Sequence, residues 1–226
     1  MQQRGQCGNP DDYFSKTWEE YKNGFEQNCE KWIGLDRLHE LTSNEYYNLK
    51  VNVTYSGDGT SDGGHLFAYY NSFKVGPETD NYRLSVGKFN REYWENLGIR
   101  MLLENALGNP KDSDQPWGPT NYLELSNKRV NSGVNGAQFS TKDHDNDKWK
   151  YSCSNEDEHG FNNSMYGGLG GWWFLKCGMS NLNGLNGIVN KNEYDNSRIR
   201  WNSKWGSNMY ESTKMELIPN GNVLLL

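Results

Sequence analysis

Beyond Phe139 the chain loses almost all hydrophobic periodicity. Glycine, asparagine, aspartate and tryptophan take over, which is the chemistry of loops rather than of helices or strands. A long irregular stretch inside a compact domain must offset its ordering entropy without a backbone ladder, and a disulfide or a bound metal is the usual means. Candidates for both are present. Cys7 with Cys29 and Cys153 with Cys177 are two sequence-local pairs. Bridged in that way they would close loops of about 22 and 24 residues, each worth roughly 3 kcal/mol by loss of conformational entropy in the unfolded state. Four buried free thiols are the alternative. None of the cysteines has the C-x-x-C spacing of zinc or thioredoxin-like sites, and His39, His65, His144 and His159 do not cluster with them. The metal candidate is Asp143-His144-Asp145-Asn146-Asp147, with carboxylates at alternate positions. Like charges this close repel unless a hard cation sits among them, and an all-oxygen set suits Ca²⁺. An EF-hand does not fit: counted from Asp143, the sixth residue is Lys148 instead of glycine and the twelfth is Ser154 instead of glutamate. A calcium loop completed by main-chain carbonyls, or a plain acidic surface turn, remains.

Composition decides whether such a sequence can fold at all. Leu, Ile, Val and Phe make up about 18% of it, a share that warns of disorder only when the net charge is also large. The charge is −6, and 9 Trp with 14 Tyr supply the missing apolar area. A globular protein with a core of indole and phenol rings is expected. No apolar run reaches the roughly 18–20 residues of a membrane span. An acidic protein without basic runs is a poor partner for nucleic-acid phosphates. Met1 is followed by Gln2, Gln3 and Arg4, with no apolar segment of a signal peptide. Paired cysteines and the sequons at Asn52 and Asn162 nonetheless point to an oxidising, extracellular setting, so the sequence is expected to be a piece of a longer secreted protein.

The first half has readable periods. Asp11 to Gln27 carries Tyr13, Phe14, Trp18, Tyr21 and Phe25 at helical spacing, with an aspartate as N-cap, which predicts a helix. Gly34 to Leu41 places Leu35, Leu38 and Leu41 on one helical face. From Tyr46 the period changes to two: Leu49, Val51, Val53 and Tyr55 alternate with polar residues before the turn at Gly57 to Gly59. His65 to Phe73 and Tyr82 to Phe89 predict further strands of an antiparallel meander. Asn90 to Leu107 returns to helical spacing, and Leu123 and Leu125 mark a possible short strand.

Catalytic motifs are nearly absent. Gly59-Thr60-Ser61-Asp62-Gly63 matches G-x-S-x-G, but a nucleophile elbow needs a strand running directly into it and a helix after it, whereas here a Gly-Asp-Gly turn precedes and a strand-like run follows. A glycan-cleaving carboxylate pair has no supporting spacing. The glycines of Gly167-Gly168-Leu169-Gly170-Gly171 precede Trp172-Trp173-Phe174, where backbone can approach closely and aromatics can wall a pocket or simply form core.

An ordered set of segments carries a resemblance: Thr17 to Phe25 (TWEEYKNGF), Trp32 to Thr42 (WIGLDRLHELT), Phe139-Ser140-Thr141 leading into Asp143 to Asp147, then Gly171-Trp172-Trp173-Phe174 with Cys177, Ser180-Asn181-Leu182-Asn183-Gly184, Ile199-Arg200-Trp201 and Met215 to Pro219. In that order they resemble the fibrinogen C-terminal globular domain of fibrinogen chains, ficolins and tachylectins. The resemblance implies an α+β fold over a single domain, residues 1–226. It would have a central antiparallel sheet, short helices and a loop-rich calcium- and ligand-binding subdomain. It also implies Ca²⁺ on the side chains of Asp145 and Asp147 and the carbonyls of Trp149 and Tyr151, and a Cys153–Cys177 bridge closing the loop. A ligand pocket is implied around Cys177-Gly178, with Tyr194 and, nearby, Trp205 or Tyr210. The sequence departs from the pattern at several places. Gly178 stands where the family commonly has histidine. Ser154 to Gly168 is longer than usual, 90–131 reads as an insertion, the first subdomain is truncated ahead of Gln3-Arg4, and Cys7–Cys29 would be an unusual bridge.

What the resemblance implies about function is a calcium-dependent, lectin-like recognition module. It would take acetylated or other small glycan groups in a loop-built pocket, in the manner of innate-recognition members. Full-length members oligomerise through upstream segments. The alternative follows from Tyr194-Asp195-Asn196, similar to the Tyr-Asp-Asn of fibrinogen chains, where Asp195 would favour a cationic group on a peptide or protein.

Overall fold

The computed structural model describes residues 1–5, 7–55, 63–90, 134–149, 151–154, 169–175, 180–186, 198–201 and 210–220. Apart from Asn90 itself, the predicted helix at Asn90 to Leu107, the strand at Leu123 and Leu125 and the insertion 90–131 lie outside these residues.

The two-residue period after Tyr46 becomes the strand β4 (Tyr47–Tyr55). Leu49, Val51 and Val53 are all fully buried on one face, while Lys50 and Asn52 point the other way. Each such burial contributes about 1.5–3 kcal/mol relative to exposure. β5 (Gly64–Val75) and β6 (Leu84–Val86) follow as the expected antiparallel neighbours. β6 is shorter than the predicted Tyr82–Phe89. Asn81 and Tyr82 hold positive φ of 48° and 49°, a turn conformation that no strand tolerates, and Phe89 keeps only an isolated bridge to Tyr70.

The sheet extends beyond this meander, using the two ends of the described sequence. Its order is β2 (Phe25–Gln27), β3 (Glu30–Trp32), β1 (Gln2–Arg4), β9 (Tyr210–Pro219), β4, β5, β6, with every pair antiparallel. β9 lies between β1 and β4, near the middle. It corrects the expectation that regular pattern ends at Phe139: Thr213 and Met215 face inward, but single apolar residues between Lys214 and Glu216 make a weak period. A second, two-stranded sheet joins β7 (Ser180–Asn181) to β8 (Arg200–Trp201).

The first predicted helix is also corrected. Only α1 (Trp18–Asn23) is helical. Thr17 starts it with a capping box: its hydroxyl accepts from the Glu20 N–H, and the Glu20 carboxylate accepts from the Thr17 N–H at 2.8 Å. Gly24 ends it at φ +90°, where an added Cβ would lie 2.8 Å from the Ile33 main chain. Tyr13, Phe14 and Phe25 meet edge-to-face from non-helical backbone, which is why their spacing imitates a longer helix. α2 (Leu35–Asn44) matches its prediction, except that Thr42 rather than Leu41 completes the buried stripe with Leu35 and Leu38. Thr42 accepts the Val75 N–H at 3.1 Å and so ties α2 to the end of β5.

Most of the described tryptophans are core, as the bland reading of the Gly-Trp segment expects. Phe139 stands 5.0 Å edge-to-face from Trp173 and 5.1 Å from Tyr21, and Trp32 lies 6.0 Å from Trp173. Two of the indoles have their polar edges satisfied: Trp32 donates to the Tyr21 carbonyl at 3.0 Å and Trp173 to the Tyr82 carbonyl at 2.8 Å. Gly171 is required by this cluster. A Cβ there would come within 2.7 Å of both the Phe139 and Tyr21 rings.

At the other end, Cys7 and Cys29 form the expected bridge, with Cα atoms 5.6 Å apart. Close by, Arg4 is buried against Glu30 at 3.6 Å, lies 4.7 Å over the Phe14 ring and donates to the Asp11 carbonyl.

Candidate functional site

The acidic run begins where the ring cluster ends. Ser140 and Trp172 exchange main-chain hydrogen bonds of 2.9 and 3.0 Å, and Thr141 and His144 exchange two more of 3.0 and 3.1 Å, closing a tight turn. The amide of Asn146 donates to the Phe139 carbonyl at 2.7 Å, and its N–H donates to the Ser140 hydroxyl. Ser154 reaches back to the Thr141 carbonyl at 2.7 Å. The loop is thus fixed by side chains acting on main chain, as a segment without a ladder must be.

The structure divides the carboxylates. Asp143 turns away from the other two: its Oδ1 accepts from the Thr141 hydroxyl at 2.8 Å and from the Trp18 N–H at 2.9 Å. Asp145 and Asp147 remain together. Asp145 accepts the N–H of Asp147 at 3.1 Å, and Asp147 accepts the N–H groups of Trp149 at 2.6 Å and Cys153 at 2.7 Å. Burial, with the neighbouring Asp145 carboxylate adding to it, pushes the Asp147 carboxyl up to about 7 against the pull of those two N–H donors. Neither aspartate has a cationic partner among the described residues.

A half-buried carboxylate at Asp147 beside the exposed carboxylate of Asp145 fits a hard divalent cation. The described residues hold no group of three or more His, Cys, Asp or Glu side chains arranged for a metal. Further oxygens would therefore have to come from main-chain carbonyls, the set implied for Trp149 and Tyr151. Both follow Asp147 in the same loop, and Tyr151 is, with Tyr46, an exposed large hydrophobic side chain among the described residues.

Cys153 is disulfide-bonded and fully buried. Cys177, Gly178, Tyr194, Asp195, Trp205 and the sequon asparagine Asn162 lie outside the described residues. Tyr210 is only 3% exposed and donates its hydroxyl to the Trp201 carbonyl at 2.9 Å, so it supports β8 and has little surface to give a ligand. Asn52 sits in mid-strand, paired to Phe67 on one side and Lys214 on the other, with its Oδ1 shielded from solvent. That is poor geometry for a glycan acceptor, whose amide must stand in water.

Sequence reasoning missed the supports of the site. Asn183 donates to the Gly171 carbonyl at 2.8 Å and accepts from the buried amide of Gln2 at 3.2 Å, which also donates to Thr213 at 2.8 Å. Asn181 holds the Leu169 carbonyl at 2.9 Å. The only signal was the density of asparagines in the Ser180 to Gly184 motif.

The comparisons with known proteins agree with this fold. The family described as fibrinogen beta and gamma chains, C-terminal globular domain, matches residues 1–220. Fibrinogen-like protein 1 of Bos taurus is 30% identical over 217 residues, which is 92% of this chain and 55% of that protein. Angiopoietin-4 of Mus musculus is 33% identical over 211 residues, 92% of this chain and 32% of that one. The protein therefore spans about half or less of these relatives. Among solved structures, a lamprey fibrin D-dimer in complex with the peptide Gly-His-Arg-Pro-amide is 25% identical. It covers 99% of this chain and 62% of its own, with a TM-score of 0.68.

Proposed function

Because the protein belongs to the family formed by the C-terminal globular domains of the fibrinogen beta and gamma chains, we propose that it is an extracellular recognition module, not an enzyme. In this reading a calcium-ordered loop supports a pocket that takes a cationic group of a peptide or protein. The observation that carries it is the similarity, along nearly the whole sequence, to a fibrin D-dimer in complex with an arginine-containing peptide. Tyr194-Asp195-Asn196 supports the same choice, since a carboxylate at Asp195 would pair with a guanidinium or amine. The Cys7–Cys29 bridge and the oxidised Cys153 support an extracellular setting. No helix among the described residues is long and apolar enough to cross a membrane.

Asp145 and Asp147, with the carbonyls of Trp149 and Tyr151, would hold the cation. Bound Ca²⁺ supplies charge neutralisation for the two carboxylates. The protein's own residues would do the rest: Asp147 orders the Trp149 and Cys153 N–H groups, and a bridge from Cys153 to Cys177, the pairing the resemblance implies, would carry that order toward the pocket.

A second reading, an acetyl group on a glycan, rests on the main-chain N–H groups at Cys177-Gly178 and on the aromatic residues Tyr194 and Trp205. The two separate by experiment. Gly-His-Arg-Pro-amide should bind in calcium, and Asp195→Ala should weaken it about tenfold or more, the scale of losing one charge-assisted hydrogen bond. Retention on an N-acetylglucosamine resin that survives Asp195→Ala, without peptide binding, would support the glycan reading instead. Asp145→Ala with Asp147→Ala should abolish both binding and the calcium-dependent rise in melting temperature. A melting temperature indifferent to calcium and chelator would sink the metal assignment.

A further inference from the structure

We infer that Asp143 is a positioning residue that clamps the Asp145–Asp147 loop to the start of α1, so that cation occupancy of the loop is felt at Trp18. The inference rests on the calcium reading above and concerns a residue outside the implied ligand set.

Consecutive side chains make the clamp. Lys142 donates its Nζ to the Ser15 carbonyl at 2.9 Å. Asp143 accepts the Trp18 N–H, one of the N-terminal donors of α1 that has no partner within the helix. His144 lies flat on the Trp18 indole, with ring centroids 4.1 Å apart and planes at 23°. The indole is itself held on its other polar edge, where Nε1 donates to Glu78 at 3.1 Å, and the second Glu78 oxygen takes Lys22 at 2.7 Å. The Thr141–His144 turn is closed by two main-chain bonds, and Asp143 is pinned within it by the Thr141 hydroxyl. Asp145 leaves that turn directly. A shift of its carboxylate toward a cation therefore pulls on the Trp18 hydrogen bond or on the stack, and a fixed Trp18 in turn pre-places the carboxylate pair. Groups that orient metal ligands without touching the metal commonly change affinity by about 10–100-fold when removed.

The test is calorimetric titration with CaCl₂ of the wild type, Asp143→Ala and Asp143→Asn, combined with hydrogen exchange at the Trp18 amide. Asp143→Ala should weaken calcium binding about tenfold or more, whereas Asp143→Asn, which keeps an acceptor for the Trp18 N–H, should recover most of the affinity. Calcium should slow exchange of the Trp18 amide in the wild type and leave it unchanged in Asp143→Ala. Wild-type calcium affinity in Asp143→Ala, or a Trp18 amide indifferent to calcium in the wild type, overturns the inference while leaving the calcium site intact. A wild type that binds no calcium overturns the calcium reading, and the inference with it. If Asp143→Ala does not fold, His144→Ala removes the stack alone. It should weaken binding by a smaller factor, and unchanged affinity in His144→Ala together with a Trp18 amide that calcium protects equally in His144→Ala and the wild type counts against the clamp.

Discussion

The sheet and the loop region beside it are held by different kinds of bond. β4 has main-chain ladders on both sides and a row of aliphatic side chains beneath it. The described residues within 139–154 and 169–186 have almost no ladder, and there side chains do its work: Asn146 on Phe139, Asp147 on Trp149 and Cys153, Ser154 on Thr141, Asn183 on Gly171. A ladder tolerates the loss of one side chain's polarity but not of its volume. A loop tied by single side chains tolerates little loss of polarity, and a cation can alter it. The contrast predicts that calcium matters on one side of the molecule only.

The largest expected effect tests the sheet. Leu49→Ala, at a fully buried site in β4, should cost about 2–5 kcal/mol by the loss of volume. Urea denaturation should give the same loss in calcium and in chelator; a loss that depends on calcium would break the contrast. Gly171→Ala comes next, at the join of the two regions. A methyl group forced within 2.7 Å of the Phe139 and Tyr21 rings should cost about 1–3 kcal/mol by overpacking. Because Gly171 also faces Asn183, calcium affinity should fall with it, read by titration of the folded variant. Thr17→Ala removes one half of the α1 capping box and should cost about 1 kcal/mol in thermal unfolding. If α1 is coupled to the loop as inferred, this variant should also loosen the Trp18 amide in hydrogen exchange.

The loop side also carries a pH slope. The Asp147 carboxyl is held at about 7, above the ordinary value near 4 that it has unfolded. Between those values the folded state keeps a proton that the unfolded state has lost. Stability in chelator should therefore fall as pH rises through this window and level off above it. Asp147→Asn should flatten the slope, and calcium, which competes with the proton, should reverse it. Melting temperatures from pH 4.5 to 7.5 with and without chelator would show this; a slope that Asp147→Asn leaves unchanged would assign it to another group.

Legibility followed the same division. Leu49, Val51 and Val53 announced β4 because a half-buried strand needs a period of two, and Leu35 and Leu38 announced α2 for the analogous reason. Tyr13, Phe14 and Phe25 misled, since rings large enough to meet across a turn can fall at helical spacing without a helix. β9 was nearly silent, because Thr213 and Met215 are weak markers between charged neighbours. At the site, the aspartate run was visible as a constellation, and the ordered motifs pointed to Asp145 and Asp147 as the pair proposed to hold calcium. Nothing in the spacing showed that Asp143 serves Trp18, or that Tyr210 spends its hydroxyl on Trp201.

Period, composition and ordered motifs determined the class of this protein: an α+β fold with an aromatic core and an irregular half that needs ties. Only the tertiary structure decided which ends meet, with β1 and β9 paired across nearly the whole sequence, and which carboxylate faces which partner. The reason is physical. Burial patterns and caps are local and leave a period, whereas the partner of a strand edge or of a single polar side chain is set by where the rest of the molecule packs.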